Sequence, residues 1–237
     1  MLDLTVGAAR VVFTDRHGGV SAPPYATANL GLLTDDDPAA VRENRRRVAA
    51  TIGGAAADPD RWFRIRQVHG AAVQVADDRD GVDADASVTD RAGVTLAVLT
   101  ADCAPVALVA DGAVAAVHAG WRGLVTGVLE AAVAALRTRS RGAVRAVLGP
   151  CIHPGRYEFG EAELDRVVTR LGPTVRARTD DGRPALDLRA GVRAALGAVG
   201  VEQLSDVDVC TAASDDHFSH RRDGVTGRQA LLVWRES

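Results

Sequence analysis

Apolar positions crowd most densely between residues 100 and 123, TADCAPVALVADGAVAAVHAGWRG. Two apolar runs, 105–110 and 113–119, flank Asp111-Gly112. An Asp-Gly pair between apolar runs predicts a β-hairpin, because a type I′ turn needs positive φ at both central residues. The runs are apolar at nearly every position instead of alternating, so both faces of the hairpin should be covered. With Asp111-Gly112 as a two-residue loop, Ala110 faces Ala113, Pro105 faces His118 and Cys103 faces Gly120. Cys103 and Pro105 share a face, which places Cys103 and His118 as diagonal neighbours roughly 7–8 Å apart at the backbone.

The remaining pattern alternates short strand-like runs with helical periodicity. Residues 4–14 read as a strand, and 21–33 as a loop rich in Pro and Gly. Asp37-Pro38 predicts a helix start, with Asp as cap and Pro at the first helical position. That helix, to about residue 52, carries Val41, Arg45 and Val48 at helical spacing and stops at Gly53-Gly54. The triplet Arg45-Arg46-Arg47 points three ways around a helix, so at least one arginine turns toward the protein. Residues 62–66, 72–76, 93–100, 143–148, 207–209 and 229–234 read as further strands, and Asp77 to Asp80 as an exposed acidic tip. Residues 124–136, 161–171 and 186–199 read as helices, although Gly191 weakens the last. No repeat, linker or low-complexity segment divides residues 1–237, so the pattern predicts one domain of α+β class with strands and helices interspersed in a mixed α/β order.

Composition narrows the function classes. Hydrophobic residues make up 47% of the 237, ample for a core, but aromatics only 4%, so Ala, Val and Leu must do the packing. All basic residues are Arg, with no Lys. A formal charge of −3 leaves no electrostatic footprint for nucleic acid. No run approaches the ~18 apolar residues of a membrane span, and Asp3 interrupts the cation-then-apolar order of a secretion signal. Cys103, Cys151 and Cys210 are odd in number and far apart, the usage of a reducing compartment with a reactive or ligating thiol. The expectation is a cytoplasmic monomer or small homo-oligomer with no membrane or nucleic-acid partner.

Candidate chemistry gathers at the hairpin. A thiolate and an imidazole at diagonal positions can share a metal ion at roughly 2.3 Å and 2.0–2.1 Å, or form a nucleophile–base pair. Free cysteine is also a common core filler, but here Asp102 precedes the thiol and Gly120-Trp121-Arg122-Gly123 follows the imidazole. Six histidines are present, and His69 in QVHG stands between two strands. A catalytic Zn²⁺ takes three protein ligands and one open position. His69, Cys103 and His118 supply such a set, and water held there would have its pKa lowered toward ~7. No compact metal motif spans the gap from His69 to Cys103, so spacing alone does not select this set over a Cys–His pair.

Several motifs resemble one family closely: QVHG at 67–70, DADASVT at 83–89, LTADCAPV at 99–106 and HAGWRG at 118–123. GPCIHPGRYEFG at 149–160, LDL at 186–188 and CTAASDDHFSHRRDGVTGR at 210–228 extend the likeness, as do NLG at 29–31 and VRENRRR at 41–47. The chain is similar along nearly its whole length to the YfiH/YlmD family, whose names include polyphenol oxidase (laccase-domain protein), purine nucleoside phosphorylase and peptidoglycan editing factor. The resemblance implies a single four-layer α/β/β/α domain and a metal, usually Zn²⁺, held by His69, Cys103 and His118. It also implies phosphorolysis of adenosine, inosine and S-methyl-5′-thioadenosine, and deamination of adenosine. His220 stands where Tyr is common in the family and His153 where Gly is common.

The family's names can be sorted on chemistry. A multicopper oxidase of the blue-copper kind needs about ten histidines for its clusters, more than the six present. A polyphenol oxidase activity would instead need Cu²⁺ in the zinc position, as a side activity. For deamination a proton-shuttling acid is required near C6, and Asp102 is the candidate. Phosphorolysis needs cations and N–H donors around phosphate. Arg45, Arg122 and the helix start after Gly123 are candidates, Arg221 or Arg222 further ones, and Gln67 and Asn29 join Arg45 and Arg122 as substrate contacts. An enzyme of another class, a Cys103/His118 amide hydrolase editing peptidoglycan precursors, fits the same residues. A non-catalytic binding module would tolerate loss of Cys103. Cys151 and Cys210 read as structural.

Overall fold

The computed structural model describes residues 1–76, 81–201 and 203–236. The acidic tip predicted at 77–80 lies outside the described residues. In chain order the elements are β1 (Leu2–Val6), β2 (Ala9–Phe13), α1 (Pro38–Ile52), β3 (Phe63–Arg64), β4 (Val73–Val75), β5 (Ala86–Thr89) and β6 (Leu96–Thr100). There follow β7 (Ala104–Asp111), β8 (Ala113–Ala119), α2 (Trp121–Thr126), α3 (Val128–Arg137) and β9 (Arg141–Leu148). The chain closes with α4 (Glu161–Leu171), β10 (Arg176–Arg178), β11 (Pro184–Leu186), α5 (Leu188–Ala198), β12 (Gln203–Asp206), α6 (His220–Asp223) and β13 (Gln229–Arg235).

Two mixed sheets lie face to face. One has the order β1-β2-β13-β6-β3, the other β12-β9-β7-β8-β5-β4, and β10-β11 form a separate ribbon. Because side chains alternate across a strand, each sheet has two apolar faces with different partners. Val11, Phe13, Leu96, Val98, Leu231 and Val233 meet Ala107, Val109, Val114, Ala116 and Val147 between the sheets. On the outside of the first sheet, Val12, Ala97, Leu232 and Trp234 receive Val48, Ala49 and Ile52 of α1. On the outside of the second, Val106, Leu108, Ala115 and Val117 are covered by residues of α2 to α5, among them Leu124, Leu129, Leu164 and Val192. The layers therefore run α/β/β/α, with the β7–β8 hairpin buried on both faces at the centre of the second sheet.

The predicted register holds: Ala110 pairs with Ala113 and Pro105 with His118. The turn itself differs from expectation. Gly112 has φ 89 but Asp111 has no positive φ, so the turn is not type I′. Asp111 stays extended, pairing with Arg141 of β9 across a bulge that follows Val109. By alternation His118 shares the inter-sheet face with Val114 and Ala116, and Cys103 follows the parity of Ala107 and Val109. The end of the layer between the sheets is thus where both emerge.

Other departures have local causes. The run 4–14 is two strands, folded back at Gly7 (φ 59) so that Leu2 pairs with Phe13; the apolar residues next to the glycine, Val6, Ala8 and Ala9, conceal the turn. The helix predicted at 124–136 starts earlier, at Trp121, and breaks at Gly127, whose φ of 91 closes α2 and opens α3. The helix start assigned to Gly123 therefore lies inside α2. The last short strand is Gln203–Asp206, not 207–209, and runs parallel to β9. Helix α1 matches its prediction, with Asp37 accepting from Ala39 N at 2.8 Å. Arg45 is the inward arginine at 6% exposure. Gly191 in α5 has a packing reason, since a Cβ there would stand 3.2 Å from Leu124 and 3.3 Å from Leu171.

Candidate metal centre

Asp85, just before β5 and fully buried, organises the site from below. Its carboxylate accepts from the backbone N–H of Val68 (3.2 Å), His69 (3.0 Å) and Gly70 (2.6 Å). These three donors come from the QVHG loop, where His69 takes φ 60. The same carboxylate lies 2.8 Å from His118 Nδ1, and the Asp85 carbonyl accepts from His118 N at 2.7 Å. One buried acid thus fixes the loop that carries His69 and the ring of His118 together. Its own pKa is lowered: burial works the other way, but the hydrogen bonds from His118 and Gly70 outweigh it.

With Nδ1 committed to Asp85, His118 presents Nε2 to the cavity, the carboxylate–histidine arrangement found behind metal ligands. His69 and His118 meet edge to face with ring centroids 4.8 Å apart, and Cys103 Sγ lies 3.9 Å from His69 Nε2. The ligand atoms of His69, Cys103 and His118 all fall within 4.8 Å of one another, the one such group among the described residues. Gly120 makes the room: a Cβ there would come within 2.9 Å of His69 Cδ2 and 3.1 Å of Cys103 Sγ. Loss of solvent works against ionisation of Cys103, yet the charge of His118 and hydrogen bonds from both histidines bring the thiol down to about 6. Burial alone would lower His118; the Cys103 charge and the hydrogen bond to Asp85 lift it to about 9. A thiolate with two imidazoles, one exposed and one buried, suits Zn²⁺ with a position left open, and also Cu ions.

Most of the other predicted site residues make hydrogen bonds within the fold. Asp102 (φ 98) accepts from Thr211 Oγ1 at 2.7 Å and from Arg221 N at 2.6 Å, so both carboxylate oxygens are engaged. Gln67 makes a two-way link to the Leu99 backbone, at 2.7 and 2.8 Å. Arg45 donates twice to Leu30 O, at 2.9 and 2.6 Å. Buried Asn29 accepts from Gly31 N and Arg228 N. Arg122 is exposed, its guanidinium 4.7 Å above Trp121. Arg222 is occupied by the carbonyls of Thr211, Ser214 and His217 and by Asp223. Arg221 stacks on Tyr157 at 4.8 Å. Of the two departures from the family pattern, His220 lies 2.6 Å from the Gly224 carbonyl and His153 is half-buried. Cys151 is buried and bridges strand-wise to Cys210.

Two residues escaped the sequence reading. Asp85 lies inside the DADASVT motif, where a carboxylate directly before a short run of small and β-branched residues is the available signal. Arg228 closes CTAASDDHFSHRRDGVTGR; its side chain is half-buried, and Asp102, Cys103 and Tyr25 are near enough for their charges to act on it.

Comparison with known proteins adds independent constraints. The family model described as multi-copper polyphenol oxidoreductase laccase matches residues 10–236. A purine nucleoside phosphorylase of Streptomyces coelicolor is 47% identical over 239 residues, covering 97% of each chain. One of Pseudomonas aeruginosa is 40% identical over 232 residues, covering 95% of this chain and 93% of the other. The crystal structure of YlmD from Geobacillus stearothermophilus superposes with a TM-score of 0.88 at 34% identity, covering 98% of this chain and 93% of that one.

Proposed function

We propose that this chain, which belongs to the multi-copper polyphenol oxidoreductase laccase family, is a zinc-dependent purine nucleoside phosphorylase that also deaminates adenosine. The observation that carries the reading is the convergence of His69, Cys103 and His118 over buried Asp85. The curated relatives' names supply the reaction class. A bound Zn²⁺ would supply Lewis-acid polarisation of an oxygen at the open position. In phosphorolysis a phosphate oxygen bonds to C1′ while the C1′–N9 bond breaks and its electron pair leaves with the purine. The chain's part is to hold reactants in line and exclude water. Asp85 keeps the two histidines fixed, so little reorganisation is needed when substrate arrives. Adenosine, inosine and S-methyl-5′-thioadenosine are the expected substrates, with inorganic phosphate as co-substrate.

The test is incubation of zinc-loaded protein with each nucleoside, with and without phosphate, followed by chromatography. Free base that appears only with phosphate, and disappears after chelation, is the expected result. Base release independent of phosphate sinks phosphorolysis. The oxidase in the family's description calls for several copper ions, whereas one three-ligand group converges among the described residues. A polyphenol oxidase activity here would rest on Cu²⁺ replacing Zn²⁺ at that group.

One observation favours a second reading. A thiol lowered to about 6 beside an imidazole raised to about 9 is also the pair of a cysteine hydrolase, acting on an amide in a peptidoglycan precursor. Chelation that leaves turnover intact, with alkylation of Cys103 abolishing it, would select this reading over the metal-dependent one.

A further inference from the structure

Residues 29–31 and 226–228 are tied together by a set of bonds whose centre is one side chain. Asn29, fully buried, accepts from Gly31 N at 3.0 Å and Arg228 N at 2.9 Å on the same Oδ1. Leu30 N donates to Arg228 O at 3.0 Å, and the Leu30 carbonyl takes both bonds from Arg45. Gly31 leaves the space through which the Arg228 stem passes: a Cβ there would stand 3.0 Å from Arg228 Cγ and 3.3 Å from its Cβ. The guanidinium is then oriented by Nη1, which donates to Thr226 O and Gly227 O at 2.8 Å each. Nε and Nη2 have no acceptor among the described residues.

The environment of that head group is unusual for an arginine. Burial lowers its pKa, and the opposing charges come from Asp102, Cys103 and Tyr25. The strand register gives its place: β13 pairs with β6 up to Gln229 opposite Thr100, so Arg228 lies one step beyond that pair, beside the 101–103 bend that carries Cys103. Asp102 contributes its charge but no hydrogen bond to this guanidinium among the described residues, its oxygens accepting from Thr211 and from Arg221 N. A guanidinium that is half desolvated, fixed in orientation and left with two adjacent donors is shaped for a bidentate oxyanion.

We propose that Arg228 binds inorganic phosphate through Nε and Nη2 next to the Cys103 edge of the centre, with Asn29 and Gly31 as the positioning residues that aim it. The assignment rests on the phosphorolytic reading for its place in the reaction, but not for the binding of the anion. It also gives the NLG and VRENRRR motifs a purpose: Asn29 and Arg45 hold the backbone against which Arg228 is set.

The experiment compares zinc-loaded wild type with R228Q, R228K and G31A. Zinc stoichiometry serves as the check on folding. Phosphate affinity is read twice, as KM in turnover and as binding of inorganic phosphate followed by 31P NMR. R228Q should raise the phosphate KM by about 10–100-fold, the effect of losing charge-assisted hydrogen bonds, with much less change in the nucleoside KM. R228K should recover part of the loss, and G31A should reproduce it by displacing the arginine stem. Unchanged phosphate KM and binding in R228Q, with phosphate-dependent turnover in wild type, overturns the assignment and leaves the phosphorolytic reading standing. Arg228-dependent phosphate binding without base release does the reverse. Tight binding of a nucleoside 5′-monophosphate with no response to inorganic phosphate also overturns it.

Discussion

Asp85 shows how much a single buried carboxylate can decide. Fully buried itself, it receives three backbone N–H groups and the His118 ring. An acid buried this deeply persists only where its hydrogen bonds replace its hydration. Removing its charge should loosen the two histidines together. For D85N, metal affinity measured by competition with a chromophoric chelator should fall about 10–100-fold, the usual effect of losing a partner behind a ligating histidine. Unchanged affinity would mean the histidines hold their places without it. Gly120 makes the complementary point, since a single methyl there would enter the space between His69 and Cys103. Displacements on the scale of 1 Å at such a site cost of the order of 10²-fold in activity, so G120A should be nearly inactive while melting close to wild type. Full activity in G120A would show that the cradle is wider than its backbone indicates.

At the scale of elements, legibility tracked the range over which each signal acts. The β7–β8 hairpin is readable because Asp111-Gly112 and two apolar runs are local, and they fix the register that sets Pro105 opposite His118. Helix α1 was readable for the same reason, from Asp37 and Pro38 to Gly53. The breaks at Gly7 and Gly127 are not, because each is one positive-φ glycine in a mainly apolar run without a second turn residue beside it. Asp85 was hidden more deeply: its partners lie 15 to 33 positions away, beyond any local pattern. The third proposed ligand, His69, comes from likeness to a family and not from spacing. The α1 cap allows a direct test. D37A removes the acceptor for Ala39 N and should cost about 1 kcal/mol in urea denaturation. A loss well above that would show that the cap also anchors the 29–36 loop, where Asp36 joins Asn29 and Ser21.

The whole molecule sets its candidate site at the end of the core between its two sheets. Both sheets contribute to the core between them, and the residues that emerge at its end are the proposed ligands. We propose that residues 1–237 form one folding unit, because neither sheet can cover its inner face without the other. The metal would then be bound by the folded chain alone, since in the unfolded chain Asp85 is separated from the groups it brings together. A ligand that binds only the native state stabilises it by RT ln(1 + [L]/Kd), about 2.7 kcal/mol at a hundredfold excess over Kd. Calorimetry of the metal-free protein should show a single transition, and added Zn²⁺ should move that whole transition upward without splitting it. C103S should remove most of the zinc-dependent shift while leaving the metal-free transition near its original temperature, because Cys103 sits in a bend ahead of β7 outside the apolar core. Two separated transitions, or a zinc shift confined to one of them, would mean that the sheets fold as independent units and that the centre belongs to only one.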